Sequence, residues 1–509
     1  MGRSRSCLSA RGHLGRRALG PRGAAIVALA TLTLAVAVPA GALVPLKKPG
    51  APTAVHATGV VSGVAVSWTP PVADGGTAIT GYTVTASPGA ETCTTTGATL
   101  CTVMGLTPAH SYLLWVQASN SVGLGRPSGR AKAIPAQSPA VSSDNAYLFL
   151  DQMMDQYATG STLRLVQSFT GGVLQQRRFT DSVTYDDALV IDALLARGTG
   201  DDFARAQVLG DTLLYVQAND PAHDGRIRAA YAPDVLTSPG AVTASDPTSD
   251  VGNMAWVGQA LVQLYAGTGD SSYLAGATEL ANWIQANAND TRGAGGYTGG
   301  MSGDGTTITW KSTEHNVDVY AFFTMLATET GDPAWAIRAD WAKRLVDAMW
   351  SPAQAMFDVG TLDDGVTVND QDQPEDVNSW SYLALADPAH ASSIDWDIAN
   401  LAVTVKGFTG VSVCLGARTG IWYEGSAHLA AALEARNGPG DRAQANSLLG
   451  ALSYAQLEGK GGDGMGIIAA SRNGLGDCDG GSYFASLHTG ATAWYLLAMM
   501  GANPFHLLG

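Results

Sequence analysis

The chain has 509 residues, of which 46% are hydrophobic and 14% are charged, and its formal net charge at pH 7 is −15. This length suits two or three domains, each with a sizeable apolar core. An acidic surface repels nucleic acid, because binding a phosphate backbone needs clustered Lys and Arg. Neutral poly- or oligosaccharides remain suitable partners, and we expect a monomer.

The first 42 residues are predicted to be a secretory signal peptide. Six arginines precede an apolar run at residues 24–38, and Ala40-Gly41-Ala42 supplies the small-x-small site of a signal peptidase. The run is shorter than the roughly 20 residues that a membrane span needs. We therefore expect a secreted, extracellular protein without membrane contact after signal removal, with an uncleaved anchor as the alternative.

Four cysteines follow this segment, an even number that suits two disulfides in an exported chain. Cys93 and Cys101 lie close together in the first domain, while Cys414 and Cys478 lie in loops that lead into two of the later helices. Zinc is the alternative, but no C-x-x-C or H-x-x-x-H spacing accompanies these residues. We expect two disulfides, Cys93–Cys101 and Cys414–Cys478, and no metal or cofactor.

Residues 51–135 show the alternation and turn punctuation of a small all-β domain. This segment resembles a fibronectin type III domain in Trp68, in Gly81-Tyr82-Thr83-Val84, and in Leu106-Thr107-Pro108 followed by Tyr112, the pattern of that family's tyrosine corner. The resemblance implies a spacer or adhesion module without chemistry of its own. Residues 136–143, rich in Ala, Ser and Pro, are predicted to be a linker.

The remaining residues, 144–509, are predicted to form helices in pairs. Thr199-Gly200-Asp201, Thr268-Gly269-Asp270 and Thr330-Gly331-Asp332 each separate two apolar runs, and Asp387-Pro388 and Gly440-Asp441 occupy equivalent places. Gly closes one helix in the left-handed conformation and Asp caps the next. About twelve helices in six hairpins, beginning near Asn145, predict an (α/α)6 barrel whose inner helices all start at one end.

Polar and aromatic residues open these inner helices and are therefore expected to converge on a cleft. The openings are Tyr185-Asp186-Asp187, Asn253-Met254-Ala255-Trp256, Glu314-His315-Asn316-Val317-Asp318, Asn378-Ser379-Trp380, Trp422-Tyr423-Glu424-Gly425 and His488-Thr489-Gly490.

Four of these segments, with their flanks, resemble motifs of the six-hairpin glycosidase superfamily. They are Thr184–Leu189, Ser312–Tyr320, Trp422–Ala427 and Leu487–Trp494. The resemblance implies a sugar-active barrel with acidic residues in its mouth. The superfamily contains hydrolases, phosphorylases, lyases and epimerases, so the resemblance names no glycan.

Glycoside hydrolysis needs one carboxyl group as acid and a second as base or nucleophile. We predict Glu424 or Glu314 as the acid and Asp186 or Asp318 as the base. Glu314 and Asp318 are four residues apart, so they share one helix face. The alternative for all these acids is helix capping, and we favour it for Asp187.

Sugar binding combines stacking aromatic rings with short polar groups. The predicted substrate-binding residues are Tyr185, Trp256, His315, Asn316, Trp380, Trp422, Tyr423 and His488. The alternative role for His488 is helix capping or core packing. Trp494, further along its helix, is predicted to belong to the apolar core.

A secreted glycoside hydrolase is the predicted function. A polysaccharide lyase or sugar epimerase is one alternative, although a lyase needs cations for its acidic substrate and the openings offer little besides Lys311. A non-catalytic glycan-binding protein is the other. The acidic segment 363–376 suits either a solvated loop, which we favour, or a calcium site, although it lacks the ligand spacing of an EF-hand.

Overall fold

The computed structural model describes residues 45–108, 110–236, 244–478 and 480–508. The predicted signal peptide lies outside these residues. Among the helices within them, none has both the length and the apolar character that a bilayer crossing requires.

An antiparallel β-domain comes first, as predicted. Strands β1 (Thr53–Val60), β2 (Gly63–Thr69) and β5 (Leu100–Met104) form one sheet, and β4 (Thr92–Thr95), β3 (Gly81–Ser87), β6 (Tyr112–Asn120), β7 (Gly123–Leu124) and β8 (Ala131–Ala133) form the other. Alternate residues of β6 are buried, which is the period that a half-buried strand requires.

Details of this domain confirm the sequence-based prediction. Trp68 packs against Tyr82 with a centroid distance of 5.2 Å. The backbone N–H of Thr107 donates to the hydroxyl of Tyr112 at 3.1 Å, which is the tyrosine corner. The predicted Cys93–Cys101 disulfide is present and joins β4 to β5, and therefore one sheet to the other.

Thirteen helices occupy the described part of the remaining chain, twelve of them long and α2 only five residues. They are α1 (Pro139–Asp155), α2 (Gly172–Gln176), α3 (Thr184–Arg197), α4 (Gly200–Ala218), α5 (Val251–Thr268), α6 (Ser271–Asn287), α7 (Thr313–Thr330), α8 (Pro333–Ala348), α9 (Glu375–Leu385), α10 (Ser392–Leu401), α11 (Tyr423–Arg436), α12 (Asp441–Glu458) and α13 (Thr489–Met500).

Six of these helices form a closed inner ring. Helices α3, α5, α7, α9, α11 and α13 contact one another in that order, and α13 contacts α3. Helices α4, α6, α8, α10 and α12 each pack outside the inner helix that precedes them, and α1 packs on α13 as the sixth outer helix. This is the predicted (α/α)6 barrel. Contact between α5 and α7 is close enough that a Cβ on Gly258 would collide with the ring of Phe322.

Two helix boundaries differ from the predictions. Helix α1 begins at Pro139, inside the predicted linker, because the side chain of Ser138 caps it and Pro is favourable in a first turn. In Thr199-Gly200-Asp201, the left-handed residue is Gly198 and the cap is Thr199, so Gly200 is already helical. The two later Thr-Gly-Asp turns follow the prediction: Gly269 and Gly331 are left-handed, and Asp270 and Asp332 cap the next helices.

Short strands lead into four of the inner helices and form a rim at their N-terminal ends. They are Ser182–Val183 before α3, Ser249–Asp250 before α5, Lys311–Ser312 before α7 and Leu487–His488 before α13. Each pairs with strand residues of a neighbouring loop. The rim therefore fixes where each inner helix starts.

The fourth residue of five inner helices anchors this rim through a side-chain oxygen that accepts a backbone N–H from the preceding loop. The bonds are Val166 to Asp187 at 2.9 Å, Tyr297 to Asn316 at 2.8 Å, Phe357 to Asn378 at 2.9 Å, Val411 to Ser426 at 3.0 Å and Ile467 to Thr492 at 2.9 Å. Buried backbone N–H groups need partners, so this position is structural.

Candidate active site

A cleft of about 200 Å³ opens at the N-terminal ends of the inner helices. Its walls combine acidic, imidazole and aromatic side chains. The lining residues are Tyr185, Asp250, Gly252, Asn253, Trp256, Glu314, His315, Asp318, Asp376, Trp380, Trp422, Glu424, His428 and Tyr483.

Helix register explains which residues line the cleft. The second residues of α3, α5, α7, α9 and α11 all do so: Tyr185, Gly252, Glu314, Asp376 and Glu424. One turn further on, the sixth residues of α5, α7, α9 and α11 form a deeper layer: Trp256, Asp318, Trp380 and His428. Residues four apart share a helix face, so both layers point inward.

Glu424 lies in the upper layer and is only 3% exposed. Its Oε1 accepts a hydrogen bond from the hydroxyl of Tyr185 at 3.0 Å, and that hydroxyl accepts one from the indole N–H of Trp494 at 2.7 Å. Burial raises the pKa of Glu424 to about 7, with the positive charge of His488 acting against the rise and the negative charge of Asp186 adding to it. Glu424 is thus able to hold or release a proton near neutral pH.

His488 bridges Glu424 and Asp186. Its Nε2 lies 3.4 Å from Asp186 Oδ1, its Nδ1 lies 3.5 Å from Glu424 Oε2, and Phe169 stacks on the ring at 4.1 Å. Burial lowers the pKa of His488, but the two carboxylates outweigh it and the pKa is raised. In its neutral form the ring also caps α13 through the N–H of Ala491 at 3.4 Å.

The second residue of α13, Gly490, has no side chain to separate these groups. A Cβ there would lie 3.1 Å from Glu424 Oε1 and would collide with Asp186 Oδ1. Asp186 is 1% exposed and does not line the cleft itself. It reaches the cleft through His488 and Glu424.

His428 lies on the same helix as Glu424, one turn deeper in the barrel. It is fully buried, and burial lowers its pKa well below the usual value, so the ring is neutral. Its Nε2 lies 4.0 Å from Glu424 Oε1, and its Nδ1 lies 3.2 Å from Glu375 Oε2. Burial raises the pKa of Glu375 well above the usual range, with the charge of Asp397 adding to the rise.

The wall formed by α5 and α7 carries Glu314, Asp318 and His315. Asp318 is fully buried, and burial raises its pKa well above the usual value, with the charges of Asp250 and Asp376 adding to the rise. The indole of Trp256 acts against this rise but is not in hydrogen-bonding geometry, and neither oxygen of Asp318 has a hydrogen-bond partner within the described residues. His315 Nε2 lies 3.7 Å from Asp250 Oδ1.

A hairpin outside the ring closes one side of the cleft. Leu475–Gly476 pairs with Ser482–Tyr483, and the Tyr483 ring lies 5.6 Å from that of Trp422. The predicted Cys414–Cys478 disulfide is present and ties this hairpin to the segment that leads into α9 and α11. Tyr483 thereby lines the cleft opposite the ring helices.

The cleft is not lined by four of the predicted site residues, Asp186, His488, Asn316 and Tyr423, or by Lys311. Both side-chain groups of Asn316 bond to backbone, with its amide N–H donating to the carbonyls of Tyr297 and Ser312. Tyr423 is buried in the apolar core. The amine of Lys311 donates to the carbonyls of Arg292 and Gly295 and is therefore directed inward.

The acidic segment 363–376 divides between two roles. Asp364 accepts the backbone N–H groups of Val366 and Thr367 within its own turn, whereas Asp376 lines the cleft. Among the described residues, no group of three His, Cys, Asp or Glu side chains is arranged to hold a metal ion.

Six lining residues were not predicted as site residues from the sequence. They are Asp250, Gly252, Asn253, Asp376, His428 and Tyr483. The available signal for His428 was its spacing of four from Glu424, and for Asp376 its place at the start of α9. Asp250 has the sequence position of a helix cap, and it is one, since it accepts the N–H of Asn253.

Comparison with known proteins supports both parts of the fold. The sequence-family model of the fibronectin type III domain matches residues 50–134. A search of curated protein sequences found no match.

Three solved structures resemble the chain at low sequence identity. A family 76 glycoside hydrolase from a bovine Bacteroides thetaiotaomicron strain is 10% identical with a TM-score of 0.51, and the match covers 88% of this chain and 99% of that one. A sugar epimerase from a ruminal bacterium is 11% identical with a TM-score of 0.53, covering 70% and 96%. An alpha-amylase from Clostridium perfringens is 12% identical with a TM-score of 0.50, covering 72% and 99%.

The helical region shares the barrel fold of these three enzymes. Identities this low establish the fold alone, and carbohydrate-active enzymes with different reactions share it. The reaction has to be argued from the cleft.

Proposed function

We propose that the protein is a secreted glycoside hydrolase in which Glu424 is the general acid. The observation that carries this proposal is the environment of Glu424: a buried carboxyl group at the wall of a sugar-sized cleft, with a pKa of about 7. Protonation of a leaving glycosidic oxygen requires a carboxyl group that keeps its proton near neutral pH.

The second carboxylate is proposed to be Glu314. It lies on a separate helix from Glu424, lines the same cleft and is only partly buried, so water reaches it. Asp318, one turn deeper, has a pKa raised well above the usual range and stays protonated, so it suits hydrogen bonding to a hydroxyl rather than base catalysis.

Asp186 and His488 are proposed to set the acidity of Glu424 rather than to activate water. Both are buried, and only His488 separates Asp186 from Glu424. Stacking of sugar rings is assigned to Trp256, Trp380, Trp422 and Tyr185, whose rings line the cleft.

Secretion is part of the same proposal. Two disulfides and a fibronectin-like domain suit an oxidising, extracellular environment. In this view residues 1–42 are removed on export, and the fibronectin-like domain holds the barrel near its substrate or its cell.

The test is a screen of the chain lacking residues 1–42 against α- and β-glucans, mannans, arabinans and amino-sugar polymers, with release of reducing ends as readout. Glu424→Gln is expected to reduce kcat by about 10²–10⁴-fold, the usual contribution of a general acid. Glu434→Gln, on the same helix but not lining the cleft, is the matched control and should leave kcat unchanged. Full turnover by Glu424→Gln would reject the assignment.

A sugar epimerase or isomerase is the second candidate, because His315 and neutral His428 line the cleft and the Nε2 of His428 has no hydrogen-bond partner within the described residues. A neutral imidazole is a suitable base for removing a proton beside a sugar carbonyl. Exchange of solvent deuterium into free sugars, without reducing-end release from any glycan, would favour this candidate over hydrolysis.

A further inference from the structure

Acidic side chains outnumber basic ones in the lining of the cleft. Its lining includes five acidic residues and, among the described residues, no Lys or Arg; the carboxyl groups are those of Asp250, Glu314, Asp318, Asp376 and Glu424. Its two imidazoles do not balance them, since burial keeps His428 neutral. A ligand that supplied positive charge would relieve the repulsion between these groups.

Asp318 is an acidic group of the cleft whose carboxyl oxygens have no hydrogen-bond partner within the described residues. Its side chain is fully buried at the deeper layer of the cleft. A buried carboxyl group without partners is costly. The charges of Asp250 and Asp376 act on it directly, so this part of the cleft attracts a cation.

The same cleft also presents donors and apolar faces. The indole N–H groups of Trp380 and Trp422 are buried and have no acceptor among the described residues. An inorganic cation would leave these donors unsatisfied, because it has no acceptor atoms. A suitable ligand therefore combines a positive charge with oxygen acceptors and a flat apolar face, and tryptophan faces additionally attract cations.

We propose that the cleft recognises a sugar ring with a free amino group, and that the substrates are glycosides of unacetylated amino sugars. An ammonium group placed at Asp318 and flanked by Asp250 and Asp376 would satisfy the unpartnered carboxyl group. Ring hydroxyls would accept from the indole N–H groups, while the ring face stacks on tryptophan. This proposal rests on the proposed hydrolase function for its catalytic part only, since binding of the sugar is independent of turnover.

Proton release on binding follows from the proposal. An ammonium group stabilises the ionised form of Asp318, whose pKa is raised well above the usual value in the empty cleft. Binding of the amino sugar should therefore release protons, and the amount released should depend on pH. A neutral sugar that only donates hydroxyl groups to a protonated carboxyl has no such effect.

The experiment is calorimetric titration of the wild-type chain lacking residues 1–42 with D-glucosamine, D-galactosamine and D-mannosamine at pH 6.5. Their neutral parents and the N-acetylated forms are titrated in parallel. At least one amino sugar should bind about ten-fold more tightly than its neutral parent, a difference of about 1.4 kcal/mol. That preference should shrink with added salt, and repeat titrations in buffers of different ionisation enthalpy should show proton release.

Asp318→Asn should abolish the preference, whereas the exposed control Asp340→Asn on α8 should keep it. Equal affinity for amino and neutral sugars, tighter binding of neutral sugars, or no binding of any amino sugar to wild type would overturn the proposal, whether or not Asp318→Asn folds. Cleavage of neutral glycans alongside any of these results would leave the hydrolase proposal standing. A clear amino-sugar preference without cleavage of any glycan would support the amino-sugar proposal and reject the hydrolase proposal.

Discussion

Glu424 lies between two histidines that their surroundings drive to opposite protonation states. His488 faces two carboxylates, which raise its pKa, whereas His428 is buried beside groups whose own protons are held by burial, and its pKa is lowered. The positive charge of His488 and the hydrogen bond from Tyr185 offset part of the effect of burial, which explains how a fully buried carboxyl group has a pKa of only about 7. Substitution of a neighbour of Glu424 should therefore shift the pKa of Glu424.

The pH profile of kcat/KM tests this arrangement. If Glu424 is the general acid as proposed, activity should fall as pH rises through about 7, because this group is then deprotonated. His488→Gln removes a positive charge that lowers the pKa of Glu424, so the falling limb should move to higher pH. His110→Gln, exposed in the fibronectin-like domain, is the control. An unchanged or downward-shifted limb in His488→Gln would contradict the assignment.

Sequence alone was informative about which polar residues open the inner helices, but not about which way each one faces. Glu314 and Asn316 are two residues apart in the same motif, yet one lines the cleft and the other anchors Tyr297. That distinction depends on the start of α7, which the strand Lys311–Ser312 sets through pairing with a distant loop. His428 lies among alanines, so its direction became evident only from the closed ring.

At the scale of helices, the barrel repeats one register with different side chains. The second residue faces the cleft in five inner helices, the fourth anchors the rim in five, and the sixth forms the deeper layer in four. Helix α5 departs from it at the fourth position, where Met254 stands in place of a polar anchor. The number of hairpins and their turns could be predicted because Gly and Asp act locally, whereas this register depends on where the rim strands pair.

Two glycines from identical Thr-Gly-Asp tripeptides should respond in opposite ways to alanine. Gly269 has a φ of +74°, so Gly269→Ala should cost about 1 kcal/mol of unfolding free energy. Gly200 lies in the first turn of α4 with open space around it, so Gly200→Ala should be neutral or stabilise by up to about 1 kcal/mol. Urea unfolding measures both, and destabilisation of equal size would show that the boundaries of α4 are wrong.

The whole molecule contains several buried acids whose pKa is raised in the folded state. Burial is the main cause for Asp187, Asp192, Asp318, Glu375 and Asp397. Such groups bind more protons folded than unfolded at pH values above the unfolded carboxyl pKa of about 4. Their contribution to stability is therefore complete below that value and is lost as pH rises.

Thermal unfolding should show this as a Tm that decreases between about pH 5 and pH 8. Glu375→Gln replaces one titrating group by a neutral amide, so its Tm should depend less on pH than that of wild type. Glu434→Gln again serves as control, because Glu434 is not fully buried. A Tm that increases over this range, or an equally steep dependence in Glu375→Gln, would mean that these acids are ionised in the folded protein.

Helix α1, which directly follows the fibronectin-like domain, packs on α13, the last of the six inner helices in chain order. During synthesis the ring therefore stays open until α13 has been made. The strand that leads into α13 also places His488 beside Glu424. Closure of the ring and completion of the proposed active site should consequently occur in one step, so that a chain without α13 carries no partial activity.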